Sequence, residues 1–179
     1  SINNIVDIAN YIMFDLGHPL HIFDYDKISG KNIDVRYAKN NEEILCLNNE
    51  LKKLSPEDII IADSRGPIAI AGVIGGHHSQ VTSKTKNILI ECAVFNEVLI
   101  RKTSKKHDYS KEASKRFERG VDAENVLNVL EKFTKILLED SKGEVSTEYI
   151  DTYNNKKNKE IEFNVERCNS FLGTSLKSK

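Results

Sequence analysis

Glu91 interrupts the run Ile88-Leu89-Ile90-Glu91-Cys92-Ala93-Val94-Phe95, which is otherwise apolar on both alternating faces and predicts a strand covered on both sides. Burying an ionised carboxylate is costly unless it is paired or faces a wet cavity. Glu91 therefore either lines a pocket that a polar ligand enters or pairs with one of the nearby Arg or Lys residues. His21 sits in Gly17-His18-Pro19-Leu20-His21-Ile22-Phe23-Asp24, read as a short connector after a helix. A histidine held rigidly beside proline and aromatic neighbours suits the orientation of a water or a substrate hydroxyl. The plainer alternative is a surface imidazole bonded to Asp24 or to a backbone carbonyl. Gly72-Val73-Ile74-Gly75-Gly76 follows an apolar strand, where glycines allow close backbone approach to a ligand or make a tight turn or bulge. It is neither a Walker A loop nor a dinucleotide fingerprint. His77-His78 are adjacent rather than four apart and lack a flanking Cys or carboxylate at ligand spacing, so no metal is expected. Ser110 and Ser114 have no local His–Asp relay, and a serine hydrolase is not expected either.

These side chains need a frame. Ile5, Ile8, Ile12 and Leu16 recur at helical spacing and predict an amphipathic helix over 4–16, stopped by Gly17 and Pro19. Residues 32–38 and 44–47 are short strand candidates, with Asn48-Asn49 as a turn. Two apolar runs, 59–62 and 68–71, flank Asp63-Ser64-Arg65-Gly66-Pro67 and predict a hairpin. Asp122 is expected to cap a helix with the stripe Val126, Val129, Leu130, Phe133, Ile136 and Leu137, closing near Gly143. Val145 to Ile150 reads as one more strand, 154–159 as a polar linker, 161–165 as a new strand, and 166–172 as the beginning of a helix. Strands and helices mixed without strict alternation indicate an α+β fold.

The 179 residues carry 26 Lys+Arg and 27 Asp+Glu, so no global positive field advertises a nucleic-acid partner. Locally the balance differs: residues 101–119 hold eight cations against Asp108, Glu112 and Glu118. Such a segment suits phosphate contact or a solvated helix face. The longest apolar runs fall far short of a membrane span, and the first residues lack the features of a signal peptide. Three distant cysteines with no CxxC pair fit a reducing, cytoplasmic setting. The missing initiator Met and a helix still under way near Lys179 are expected of a piece of a larger protein.

Five segments occur in an order and spacing that resemble one family: 4–11 (NIVDIANY), 17–24 (GHPLHIFD), 71–76 (AGVIGG), 90–93 (IECA) and 116–122 (RFERGVD). Together they closely resemble the B3/B4 region of the bacterial-type phenylalanyl-tRNA synthetase β subunit. The resemblance implies a B3/B4-type α+β module of mixed, mostly antiparallel strands over 1–152, a linker at 153–160, and the truncated start of a B5-like domain at 161–179. It implies an (αβ)2 heterotetramer that attaches phenylalanine to tRNA(Phe), with ATP and magnesium used on the α subunit and no cofactor in this segment. The B3/B4 module implied is the editing one, which hydrolyses misacylated Tyr-tRNA(Phe).

Residue by residue, the resemblance implies that His21 acts catalytically around the ester and the tRNA 3′ end. Glu91 recognises the tyrosine phenol, Gly75 and Asn10 belong to the pocket, and Ala113 keeps room for the substrate. Arg101, Lys102, Lys105, Lys106 and Arg116 are candidates for tRNA phosphate contacts. A glutamate that bonds a phenol discriminates because phenylalanine would leave it desolvated and unpaired. The sequence departs from the family pattern at Ala9 and Lys111, each in place of a Thr, and at His77-His78 in place of frequent acidic residues. These departures support an alternative: a non-catalytic structural or tRNA-approach module with a degenerate pocket.

Overall fold

The computed structural model describes residues 3–141, 143–146, 149–152 and 160–177. Helix α1 (Asn4–Leu16) begins where the Asn3 side chain accepts from the Val6 N–H and ends at Gly17, with φ 72°. The chain then forms β1 (His21–Asp24), β2 (Asp34–Tyr37), β3 (Glu43–Leu45), β4 (Leu51–Lys53), β5 (Ile59–Ala62), β6 (Pro67–Ile70), β7 (Ile74–Gly75) and β8 (Ile88–Glu91). Helices α2 (Glu97–Lys106), α3 (Glu112–Phe117), α4 (Val126–Asp140) and α5 (Val165–Leu172) follow. Among the described residues all strand pairings are antiparallel: a four-stranded sheet in the order β2-β5-β6-β7 and two ribbons, β1-β8 and β3-β4. This is the α+β class expected from the pattern.

The β1–β8 ribbon is the partition of the fold. Its register pairs His21 with Glu91, Ile22 with Ile90 and Phe23 with Leu89. Because successive side chains in a strand alternate faces, the Ile22/Ile90 pair points one way and the other two pairs point the other. Ile22 and Ile90 join apolar packing from α1 and α4, namely Ala9, Ile12, Val129 and Phe133. Phe23 and Leu89 pack instead with Ile61, Ile68 and Ala69 of the large sheet. A further core joins Ile44, Cys46, Ile60, Ile70 and Val73 to Ile100 of α2 and Phe117 of α3.

Several expectations change. Residues 21–24 are a strand, not a connector: Ile22 and Phe23 are both buried, and β8 supplies the ladder that four residues cannot provide alone. Strand β8 stops at Glu91 and is half-buried throughout, so Cys92 to Phe95 leave the sheet rather than extending a fully covered strand. Asp122 caps the short turn Ala123–Asn125, accepting from the Glu124 N–H, and α4 starts after it and ends before Ser141. Among the described residues of 145–150 there is no strand, and none at 161–164, where no neighbouring strand offers a ladder; Asn164 instead caps α5. The expected linker at 154–159 lies outside the described residues. Contacts divide the chain into Ser1–Val145 and Ser146–Lys179. The second unit contains α5, with Gly173 beyond its end. No helix among the described residues is long and apolar enough to cross a membrane.

Candidate functional site

Cross-strand register brings His21 and Glu91 together although 70 positions separate them in sequence. The third member arrives from the large sheet. Gly75 is buried in β7, where it pairs with Ala69, and its carbonyl accepts from the Leu47 N–H at 3.0 Å. A Cβ at position 75 would stand 2.5 Å from His21 Cε1 and 2.8 Å from Nε2. Only a glycine lets the β7 backbone lie flat against the imidazole; the close approach, rather than a turn, is its role here. The turn belongs to Gly72, with φ 67°.

Both titratable groups are half-buried, and neither has a compensating partner among the described residues. Desolvation by burial pushes the Glu91 carboxyl up to about 8, and the side chain has no ion pair or hydrogen bond among the described residues. The alternative of an Arg or Lys partner is therefore not met among the described residues, and at neutral pH Glu91 is mostly a neutral acid with one O–H to donate and one carbonyl oxygen to accept. Desolvation likewise pushes His21 down to about 4, so its imidazole is neutral. His21 does not bond Asp24, which caps residues 25–27 and accepts from Thr85 Oγ1 at 2.6 Å. Its ring packs edge-on against Phe23 at 4.4 Å between centroids. The one fully buried, unpartnered side-chain polar atom among the described residues is His18 Nδ1. Glu91 and His21 therefore each keep a polar atom within reach of solvent, as a ligand-accepting pair must.

His18 lies in the same motif three residues before His21, and nothing in its spacing sets it apart in the sequence. It is buried, and its Nε2–H donates to the Ala93 carbonyl at 3.1 Å, tying the exit of β8 to the segment that enters β1. The Phe117 ring of α3 meets His18 edge-on at 6.3 Å. Ala113 is half-buried one helical turn before Phe117, on the same side of α3. Asn10 is exposed on α1 and bonds none of His21, Gly75 or Glu91, while its neighbour Ala9 is buried among the α1–α4 contacts. Lys111, at the N-cap of α3, lies over the Tyr109 ring at 5.5 Å and does not reach Glu91.

The basic segment sorts into two groups. Arg101, Lys102 and Lys105 are exposed on α2 and form no ion pair with a described residue. Lys106 and Arg116 are already engaged. Lys106 donates to Asp58 at 2.9 Å and also meets Ser55, while His107 Nε2 donates to the same Asp58 oxygen at 2.9 Å. Burial opposes ionisation of Asp58, but His107, the Ser55 N–H and Lys106 outweigh it and hold the carboxyl well below the usual range. This cluster anchors the end of α2 to the loop before β5. A surface depression of about 350 Å³ opens beside it and not at His21. Arg116 pairs with Glu112 at 2.7 Å. Among the described residues no group of three His, Cys, Asp or Glu is placed to hold a metal.

Residues 1–142 match the family described as the B3/4 domain. The phenylalanine–tRNA ligase beta subunit of Fusobacterium nucleatum subsp. nucleatum is 44% identical over 176 residues, covering 98% of this chain and 22% of that protein. The subunits of the same name from Desulfotalea psychrophila and Moorella thermoacetica are 42% and 44% identical, again over 98% of the chain and 22% of each relative. The chain thus spans about a fifth of the length of the curated relatives it matches.

Proposed function

The chain belongs to the B3/4 domain family, and from that premise we propose that it is the part of a phenylalanine–tRNA ligase beta subunit that hydrolyses tyrosine wrongly attached to tRNA(Phe). The observation that carries this reading is the uncompensated Glu91 carboxyl set across one strand pair from a neutral, unpaired His21. A tyrosyl phenol supplies both things a neutral carboxyl lacks here, a donor to its carbonyl oxygen and an acceptor for its O–H. A phenylalanyl ring supplies neither and leaves the desolvated group unpaired, which disfavours the correct product in the hydrolytic site.

The ester needs little further help. Water oxygen attacks the carbonyl carbon, the bond to the terminal ribose oxygen breaks, and the proton lost by water ends on that ribose hydroxyl, releasing tyrosine and free tRNA. Neutral His21 serves by holding the water or by donating to the developing oxyanion, with its position fixed by Gly75 and Phe23. Lys111 directed to Tyr109 leaves Glu91 unneutralised, which supports a working pocket over a degenerate one. The ligase's α subunit and tRNA(Phe) are the partners this reading entails, with the exposed cations of α2 available to tRNA phosphates.

The test is single-turnover deacylation of Tyr-tRNA(Phe) by the complete ligase. The expected result is hydrolysis by the wild type and a loss of about a hundredfold or more in His21→Ala. An enzyme that charges tRNA(Phe) normally but leaves Tyr-tRNA(Phe) intact contradicts the proposal.

A further inference from the structure

The last two turns of α1 present aromatic side chains to water. Tyr11 and Phe14, three apart on one helix face, are 53% and 64% exposed, while Ile12 and Met13 are buried on the other. The Arg116 guanidinium lies over the Phe14 ring, 5.0 Å from its centroid. Glu112 holds that guanidinium through Nη1 alone, which donates to the Glu112 carboxylate at 2.7 Å and to its carbonyl at 3.0 Å. The Nε and Nη2 donors have no protein partner among the described residues. Lys115 follows alongside on α3, and Lys132 of α4, bonded to Asp15, flanks Tyr11.

We infer that Phe14 and Arg116 form a stacking platform for a base of single-stranded nucleic acid, with the free guanidinium edge on an adjoining phosphate. This rests on the editing reading for its substrate, whose acylated nucleotide enters beside His21. The platform is joined to that site by a short packed chain: Arg116 neighbours Phe117, Phe117 meets His18, and His18 holds Ala93 just beyond Glu91. An aromatic ring and a guanidinium plane both accept any base, and the Nε and Nη2 donors that Glu112 leaves free on Arg116 complement a phosphodiester oxygen. An apolar protein surface laid here would bury the spare Arg116 donors without acceptors, which favours the nucleic acid.

The probe is a six-nucleotide single-stranded RNA ending in 2-aminopurine, whose fluorescence falls on stacking, titrated onto the complete ligase. Phe14 is exposed, so Phe14→Leu removes the aromatic face without opening the core. It is expected to weaken binding about fivefold or more and to reduce the quench. Arg116→Lys, which keeps the charge and loses the plane, weakens binding too, whereas Phe14→Trp preserves both readouts. Unchanged affinity and quench in Phe14→Leu would overturn the inference. Tyr-tRNA(Phe) hydrolysis measured in parallel separates the two claims. Phe14-dependent quenching without hydrolysis upholds the platform and removes the editing reading. Hydrolysis whose KM is indifferent to Phe14→Leu removes the platform alone.

Discussion

Glu91 and His21 face each other with opposite debts to solvent. The Glu91 carboxyl titrates near 4.5 when unfolded and at about 8 when folded, so between those values the folded chain holds a proton that the unfolded chain has released. Raising the pH through that window therefore lowers stability. His21, ordinarily near 6.5 and here about 4, works the other way: stability falls as the pH drops from 6.5 through 4, because the unfolded chain gains a proton first. Glu91→Gln removes the carboxyl's contribution at almost constant shape. Urea unfolding across pH 5 to 9 should show a flatter alkaline decline in the variant and greater stability than wild type above pH 8; parallel profiles would contradict the assigned desolvation. Gly75→Ala tests the close approach. A Cβ 2.5 Å from His21 Cε1 forces the imidazole aside. Deacylation should fall at least about tenfold, for a stability cost of about 1–3 kcal/mol.

At the scale of elements, the ribbon β1–β8 converts a distant pair into a facing one, and α3 abuts that neighbourhood through Phe117, whose ring meets His18. The weak point is the start of α3. Lys111 at its N-cap offers no side-chain acceptor, and Ser114 Oγ compensates only in part by accepting from the Lys111 N–H at 2.9 Å. Lys111→Thr supplies the missing acceptor at the loss of the exposed contact with Tyr109. A net gain of about 0.5–1 kcal/mol in urea unfolding is expected, and a destabilised variant would show that the lysine's ring contact matters more. Elements differ in how legible they are in the sequence. Helix α1 is plain from its 3.6-residue repeat between Asn3 and Gly17, and β5–β6 from two apolar runs about Asp63 to Pro67. Strand β1 is not, because four residues after Pro19 carry too little period to register and owe their ladder to β8, 64 or more residues on.

Across the whole molecule, a neutral balance of charge hides an uneven distribution: Arg101, Lys102 and Lys105 have no ion pair among the described residues, while Lys106 ties α2 to Asp58 and Arg116 pairs through Nη1 with Glu112 inside α3. Charge counts along the sequence cannot make that division, since Asp58 lies far upstream of Lys106 and its role depends on burial. The same limit applies to the site. Glu91 stands out in sequence as a carboxylate in an apolar run, but that no cation among the described residues pairs with it, and that Gly75 lies against His21, follows only from packing between the ribbon and the large sheet. The resemblance in motif order named His21, Gly75 and Glu91 together, and the fold brings those three side by side, with Asn10 and Ala113 on separate helices. The most direct test of the account is the ratio of single-turnover deacylation rates for Tyr-tRNA(Phe) and Phe-tRNA(Phe), measured on the complete ligase with and without Glu91→Ala. The account predicts a strong preference for the tyrosyl ester in the wild type that falls about tenfold or more in the variant. A preference that survives intact without the Glu91 carboxyl would contradict it.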